Sequence, residues 1–175
     1  EIMLWRTHVT GGLLAGIGLA QISGIQGVES VSILAGSALG ALLPDVDSPY
    51  STIGRKFPLL AWTIKWTAGH RGIFHSLLMA GIITAGFSVY NLHLGLGICI
   101  GYLSHLMLDS LNREGTPLLW PLEKRFAVPL VSVGGMMEKL VVFPVLAVAC
   151  LFAVYQQLPS IPPIFNSYFT RLLGG

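Results

Sequence analysis

The sequence predicts an all-α fold: a polytopic membrane helical bundle of about five membrane helices with a short interfacial helix. Three observations predict it. Apolar residues make up 53% of the 175-residue chain and charged residues only 10%, against about 25% charged in an ordinary soluble domain, and the mean hydropathy is +0.72. So few charges cannot clothe a soluble surface. The apolar residues gather in five runs, each of about the 17 to 25 residues that a bilayer core demands once flanking positions are included. Two longer polar connections, 44–72 and 112–139, hold nearly all the basic residues.

The first run, 9–25, is rich in Gly and Ala. Arg6 ahead of it has the form of a secretory signal, but no small-residue cleavage site leads to a soluble domain, so the run is read as a retained helix. Met3 is read as the native start. The second run, 31–43, is short and ends at Pro44, which suits a tilted or partly inserted helix. The third covers 73–92, the fourth 94–111 and the fifth 140–158. Gly36 with Gly40, and Gly97 with Gly101, have the small-xxx-small spacing that lets helix backbones approach in lipid; Gly is also simply common in membrane helices. Between the second and third runs, residues 57–66 place Trp62 and Trp66 four apart beside Lys65, the pattern of an interfacial amphipathic helix, with a re-entrant or buried segment as the alternative. Pro159, Pro162 and Pro163 end the last helix. A single integral-membrane domain over 3–158 and a loose tail over 159–175 follow.

With five spans, the N-terminus and both polar connections fall on one side. Nine of the ten basic residues then share that face, and only Arg171 lies opposite. By the positive-inside rule the face is cytoplasmic. The net charge of +2 is small and scattered, which sets a nucleic-acid partner aside. Cys99 and Cys150 lie in apolar runs, where a thiol behaves as a small hydrophobe rather than a disulfide partner.

The chemistry-bearing residues collect on the same face. His105-Leu-Met-Leu-Asp109 puts an imidazole and a carboxylate four apart on one side of a helix, where they can hold one metal ion or form a structural hydrogen-bonded pair. Leu43-Pro44-Asp45-Val46-Asp47-Ser48-Pro49 sets two carboxylates in a short proline-bounded loop, where they repel unless a cation joins them; a solvated loop with Asx turns is the alternative. Gly69-His70-Arg71-Gly72-Ile73-Phe74-His75-Ser76 enters the third helix through glycines that permit a tight turn. His75 is the better ligand, His70 a ligand or proton donor, and Arg71 either a phosphate clamp or an ordinary positive-inside residue. His8 precedes the first helix on this side. Glu138, opening the fifth helix, is a further ligand or base, or an acid favoured by the helix dipole. His93 falls on the opposite face.

A map drawn from hydropathy alone thus brings together His8, Asp45, Asp47, His70, His75, His105 and Asp109, which include all three aspartates of the chain. Imidazole and carboxylate without thiolate suit Zn²⁺ or Mn²⁺, and so many donors exceed one tetrahedral ion. A two-metal site is the expectation, with His8, Asp45, Asp47, His75, His105 and Asp109 as metal ligands and His70, Arg71 and Glu138 as catalytic groups.

At these residues the chain resembles the YdjM-like family of bacterial inner-membrane proteins, described as membrane-bound metal-dependent hydrolases. The matching elements are Thr7-His8-xxx-Gly12, Leu43-Pro44-Asp45-x-Asp47-Ser48-Pro49, Gly69-His70-Arg71-Gly72-xx-His75-Ser76, and Gly101-Tyr102-x-Ser104-His105-xxx-Asp109 with Gly115-Thr116-Pro117. A looser similarity is to zinc-dependent phospholipase C and the S1/P1 nucleases, whose ordered His, Asp, His and His-xxx-Asp look like His8, Asp45 or Asp47, His75, and His105 with Asp109. The later histidine ligands of that group have no counterpart here, because no histidine follows Asp109. The resemblance implies an inner-membrane metal-dependent hydrolase.

The function expected is therefore that of a phosphoesterase acting on a lipid or lipid-linked substrate at the cytoplasmic surface, through water activated by two divalent ions. The rival is a metal or ion transporter, in which intramembrane His and Asp mark a path. A path needs polar residues through the membrane, and the middles of the five runs hold almost none.

Overall fold

The structure, a computed structural model, describes residues 3–51, 54–56, 58–59, 62–63, 66, 72–122, 124–130 and 134–157. Among these, the chain is helical throughout apart from connections and one isolated bridge between Thr116 and Phe126. Five α-helices alternate in direction: α1 Trp5–Ile22, α2 Gly27–Gly40, α3 Leu77–Ser88, α4 Leu92–Ser110 and α5 Phe143–Gln157.

Three stretches, Gly27–Asp47, Leu92–Ser110 and Glu138–Gln156, are long and apolar enough to cross a membrane. The expectation of five such helices is therefore met by five helices of which three reach that standard. α3 has only 12 residues, about 18 Å of helix against a core of about 30 Å. α1 has the length but carries Arg6, Thr7, His8, Thr10 and Gln21 along it. It starts earlier than its apolar run suggests, so His8 lies inside its first turn rather than ahead of it. The reason is a cap from elsewhere in the chain. Leu4 offers no side-chain cap, and its backbone N–H instead donates to Glu138 Oε1 at 2.7 Å, satisfying one of the orphan donors of a helix start.

The centre of the bundle is a glycine seam between α2 and α4. A Cβ added to Gly36 would fall on the Leu94 carbonyl, one on Gly40 on the Ile98 carbonyl, one on Gly97 on the Ile33 carbonyl, and one on Gly101 on the Ser37 carbonyl. The two spaced pairs read in the sequence therefore face each other, backbone against backbone. α1 joins the same seam, since Cβ atoms at Gly12 and Gly16 would meet Ser37.

α5 is attached differently. Only 6% of its membrane-length stretch is buried against the rest of the protein, compared with 50% for Leu92–Ser110, which leaves its apolar surface to lipid. A π-helical turn, Glu138–Val142, leads into it. The widened turn precedes Pro144, whose ring would otherwise crowd the carbonyl four residues back. Of the 57–66 stretch, the described residues are helical, with Thr63 Oγ1 donating to the Leu59 carbonyl at 2.8 Å and with Leu59, Trp62 and Trp66 exposed.

Candidate metal centre

The alternation of helices gathers five helix ends at one face: the starts of α1, α3 and α5 and the ends of α2 and α4. Other than Ser37, the buried polar side chains among the described residues belong to this end. Among the described residues, two groups have ligand atoms all within 4.8 Å of one another: His8, His105 and Asp109, and Asp45, His75 and His105.

Each side chain arrives by a local device. His105 and Asp109 are one turn apart on α4 and share its inner face. After α2 ends at its C-cap Ala41, the chain tightens into a 3-10 turn, Pro44–Asp47, that buries both Asp45 and Asp47. A second 3-10 turn, Ile73–His75, delivers His75 immediately before α3, whose N-cap Ser76 accepts from the Met79 N–H. Tyr102 on α4 donates its hydroxyl hydrogen to the Phe74 carbonyl and so ties this turn to the bundle.

Asp109 is the hub. Its Oδ1 lies 3.5 Å from His8 Nε2, and its Oδ2 lies 3.3 Å from His75 Nε2 and 3.6 Å from His105 Nε2. Donors bonded at about 2.0–2.1 Å to one tetrahedral ion stand about 3.4 Å apart. The observed separations therefore suit donors around a shared cation, and the residues fit a metal.

His105 shows how its free nitrogen is selected. Its Nδ1 is 2.7 Å from the carbonyl oxygen of Ala41, one of the carbonyls left without a partner at a helix end. A carbonyl only accepts, so Nδ1 carries the hydrogen and Nε2 faces the cluster, without a hydrogen-bond partner among the described residues. The His8 ring stacks on His105 with centroids 3.8 Å apart. With a single lone pair on offer, His105 can serve only one of the two ligand groups at a time. A second ion would depend on Asp109, whose two oxygens face different histidines.

His75 stands between two carboxylates, with Nδ1 3.2 Å from Asp47 Oδ2 and Nε2 3.3 Å from Asp109 Oδ2. A proton on either ring nitrogen would therefore face a carboxylate oxygen. A cation bound at Nε2 displaces that proton.

The sequence-derived residues divide accordingly. His8, Asp45, His75, His105 and Asp109 converge in the two ligand groups. Asp47 comes to the same cluster on the far nitrogen of His75, outside both groups. Glu138 is at the same end but engaged elsewhere: Oε1 accepts from the Leu4 N–H and the Thr7 hydroxyl, and Oε2 accepts from the Gly134 N–H, all within 2.7–2.8 Å. It fastens the start of α5 to the start of α1, one residue before His8. His70 and Arg71 lie outside the described residues. His93 sits at the opposite end, 3.9 Å from Glu29. Sequence reasoning missed the Ala41 carbonyl and the contact of Thr7 with Glu138. Thr7 was legible as a polar residue beside His8, whereas a backbone carbonyl leaves no trace in residue type.

The comparisons with known proteins agree with the composition. The chain is 35% identical over 153 residues to YvsG of Bacillus subtilis, an uncharacterized protein, covering 86% of this chain and 94% of that one. It is 34% identical over 118 residues to the inner membrane protein YdjM of Escherichia coli, covering 62% of this chain and 60% of that protein. No solved structure matches, so the looser likeness to phospholipase C and the S1/P1 nucleases gains no structural support. Residues 3–162 match the YdjM inner membrane protein family, to which this chain belongs.

Proposed function

We propose that the protein is a membrane-embedded metal-dependent hydrolase, a phosphoesterase whose substrate is a lipid or lipid-linked phosphate ester at the cytoplasmic face of a bacterial inner membrane. One observation carries the reading: buried imidazoles and carboxylates from four elements gather around His105 and Asp109 with separations suited to shared cations. Buried charge of this kind, left without a function, costs the fold stability.

His8, His105 and Asp109 would hold one ion, and Asp45 and His75 would contribute to a second. When bound, zinc or manganese supplies Lewis acidity, acidifying a water and offsetting phosphate charge. Asp47 holds the His75 ring through Nδ1, the arrangement in which a carboxylate orients a metal-ligating histidine. The Ala41 carbonyl does the same for His105. His70 and Arg71, five and four residues before His75, are the nearest sequence neighbours for the proton transfer and phosphate clamping that the chemistry needs. The lipid substrate follows from depth, because the ligands sit at helix ends, where headgroups also lie. The cytoplasmic side follows from Arg6, Arg55, Lys56, Arg113, Lys124, Arg125 and Lys139, all in segments at this end. Among the described residues, buried polar groups other than those of Ser37 and Thr84 lie at one end, which favours a site over a transport path.

The test is hydrolysis of phospholipid and phosphatidic acid by purified protein, with chelator and with His105→Ala. Turnover that chelator abolishes, zinc or manganese restores and the variant lacks supports the reading. Metal-replete protein that hydrolyses no phosphate ester contradicts it.

A further inference from the structure

The ligand cluster is closed on nearly every side. His8, Asp47 and His105 are wholly buried, and only Asp45, at 6% exposure, retains any appreciable surface. Among the described residues the cluster is open only beside Asp45, and a cavity of about 150 Å³ lies there, lined by Met3, Leu4, Trp5, Asp45, Tyr50, Ser51 and Arg55. That volume is below the usual range for a drug-sized ligand, about 300 Å³ or more, and is of headgroup scale.

The cavity has a built wall. Ser51, 4% exposed, donates its hydroxyl hydrogen to the Asp45 carbonyl at 2.7 Å and accepts from the Gly54 N–H at 2.8 Å. The Arg55 N–H donates to the Ser51 carbonyl at 3.1 Å. Gly54 closes the turn against Ser48, where a Cβ would fall on the Ser48 carbonyl. One hydroxyl thus fixes where the Arg55 backbone stands relative to Asp45. The guanidinium makes a single long contact, Nε to the Ser51 carbonyl at 3.4 Å, and no ion pair among the described residues. The remaining walls, Met3, Leu4, Trp5 and Tyr50, are apolar or aromatic.

Resting on the hydrolase reading, we propose that this cavity is the substrate-binding subsite and that Arg55 is its anion-binding residue, taking the phosphate of an amphiphilic phosphate ester. The Arg55 guanidinium would take the phosphate, while Trp5 and Tyr50 meet the apolar part of the molecule. A fork of N–H donors matches phosphate oxygens bidentately.

The test uses full-length, metal-loaded protein in detergent, its metal content measured first. Binding of inorganic phosphate, of a short-chain phosphatidic acid and of the matching phosphate-free diacylglycerol is measured for wild type, Arg55→Ala, Arg55→Lys and the neighbouring Lys56→Ala. Arg55→Ala is expected to keep its metal and lose roughly 10- to 100-fold in affinity for both phosphate ligands, the worth of about one charge-assisted contact. Arg55→Lys should lose less, and Lys56→Ala nothing. Phosphatidic acid bound more tightly than inorganic phosphate assigns a lipid source; equal binding assigns a free phosphate ester, and both support Arg55. Unchanged phosphate binding by metal-replete Arg55→Ala overturns the inference, as does loss of metal from that variant. Wild-type protein that holds no metal contradicts the hydrolase reading itself, before any ligand is added, and removes the basis for this one.

Discussion

At the scale of single residues, the site divides into side chains that could hold a cation and groups that aim them. Asp109 touches three histidines, so Asp109→Ala should abolish metal retention, whereas Asp47→Ala, which frees the far nitrogen of His75, should weaken it by roughly 10- to 100-fold. Competition titration against a metal indicator separates the two. Equal losses would place Asp47 among the ligands. Glu138 predicts a different phenotype. Its carboxylate satisfies two backbone N–H groups and a buried hydroxyl, and leaving such donors unmet costs about 1–3 kcal/mol each. Glu138→Ala should lower thermal stability in detergent by several degrees with metal bound, and an unchanged melting temperature would contradict the latch. The residues of the cluster were legible because His and Asp are rare in so apolar a chain. What aims them was less so, since a helix-end carbonyl and a long-range carboxylate cap have no sequence spacing.

At the scale of elements, the α2–α4 seam sets the position of the site. Gly101 lies one turn before His105, and Gly40 lies next to Ala41, whose carbonyl orients that histidine. A methyl group at Gly101 meets the Ser37 backbone, which cannot yield as a flexible side chain does. Gly101→Ala should therefore cost about 1–3 kcal/mol and reduce metal content with it. Gly86→Ala on α3, where a Cβ meets nothing within 4 Å, should be neutral or slightly stabilising, because Ala is the better helix former. Thermal unfolding of the pair in one detergent checks this, and equal effects would contradict the seam. The spacing of these glycines showed which faces pack. Helix lengths were less legible: apolar runs misplace the start of α1, because buried Thr7 and His8 look like loop residues, and overstate α3, which gives way to the turn carrying His75.

At the scale of the whole molecule, polarity is sorted along the bundle. Buried polar groups and the cationic connections occupy one end, while α5 presents an almost wholly apolar surface outward. Sorting of this kind was legible from hydropathy, because five runs of alternating direction leave only one way to group the connections. It predicts sidedness: cysteine introduced at Lys124 should be labelled by a membrane-impermeant maleimide in inside-out vesicles and not in intact spheroplasts. The reverse pattern would put the site outside the cell. The central claim, that this end of the bundle holds metal, is tested most directly by elemental analysis of detergent-purified protein beside His105→Ala and Asp109→Ala. The account predicts about two divalent ions per chain, lost on substitution at Asp109 while the helical fold persists. Wild-type protein that folds normally, carries no metal after incubation with zinc or manganese, and is unaffected by either substitution would contradict it.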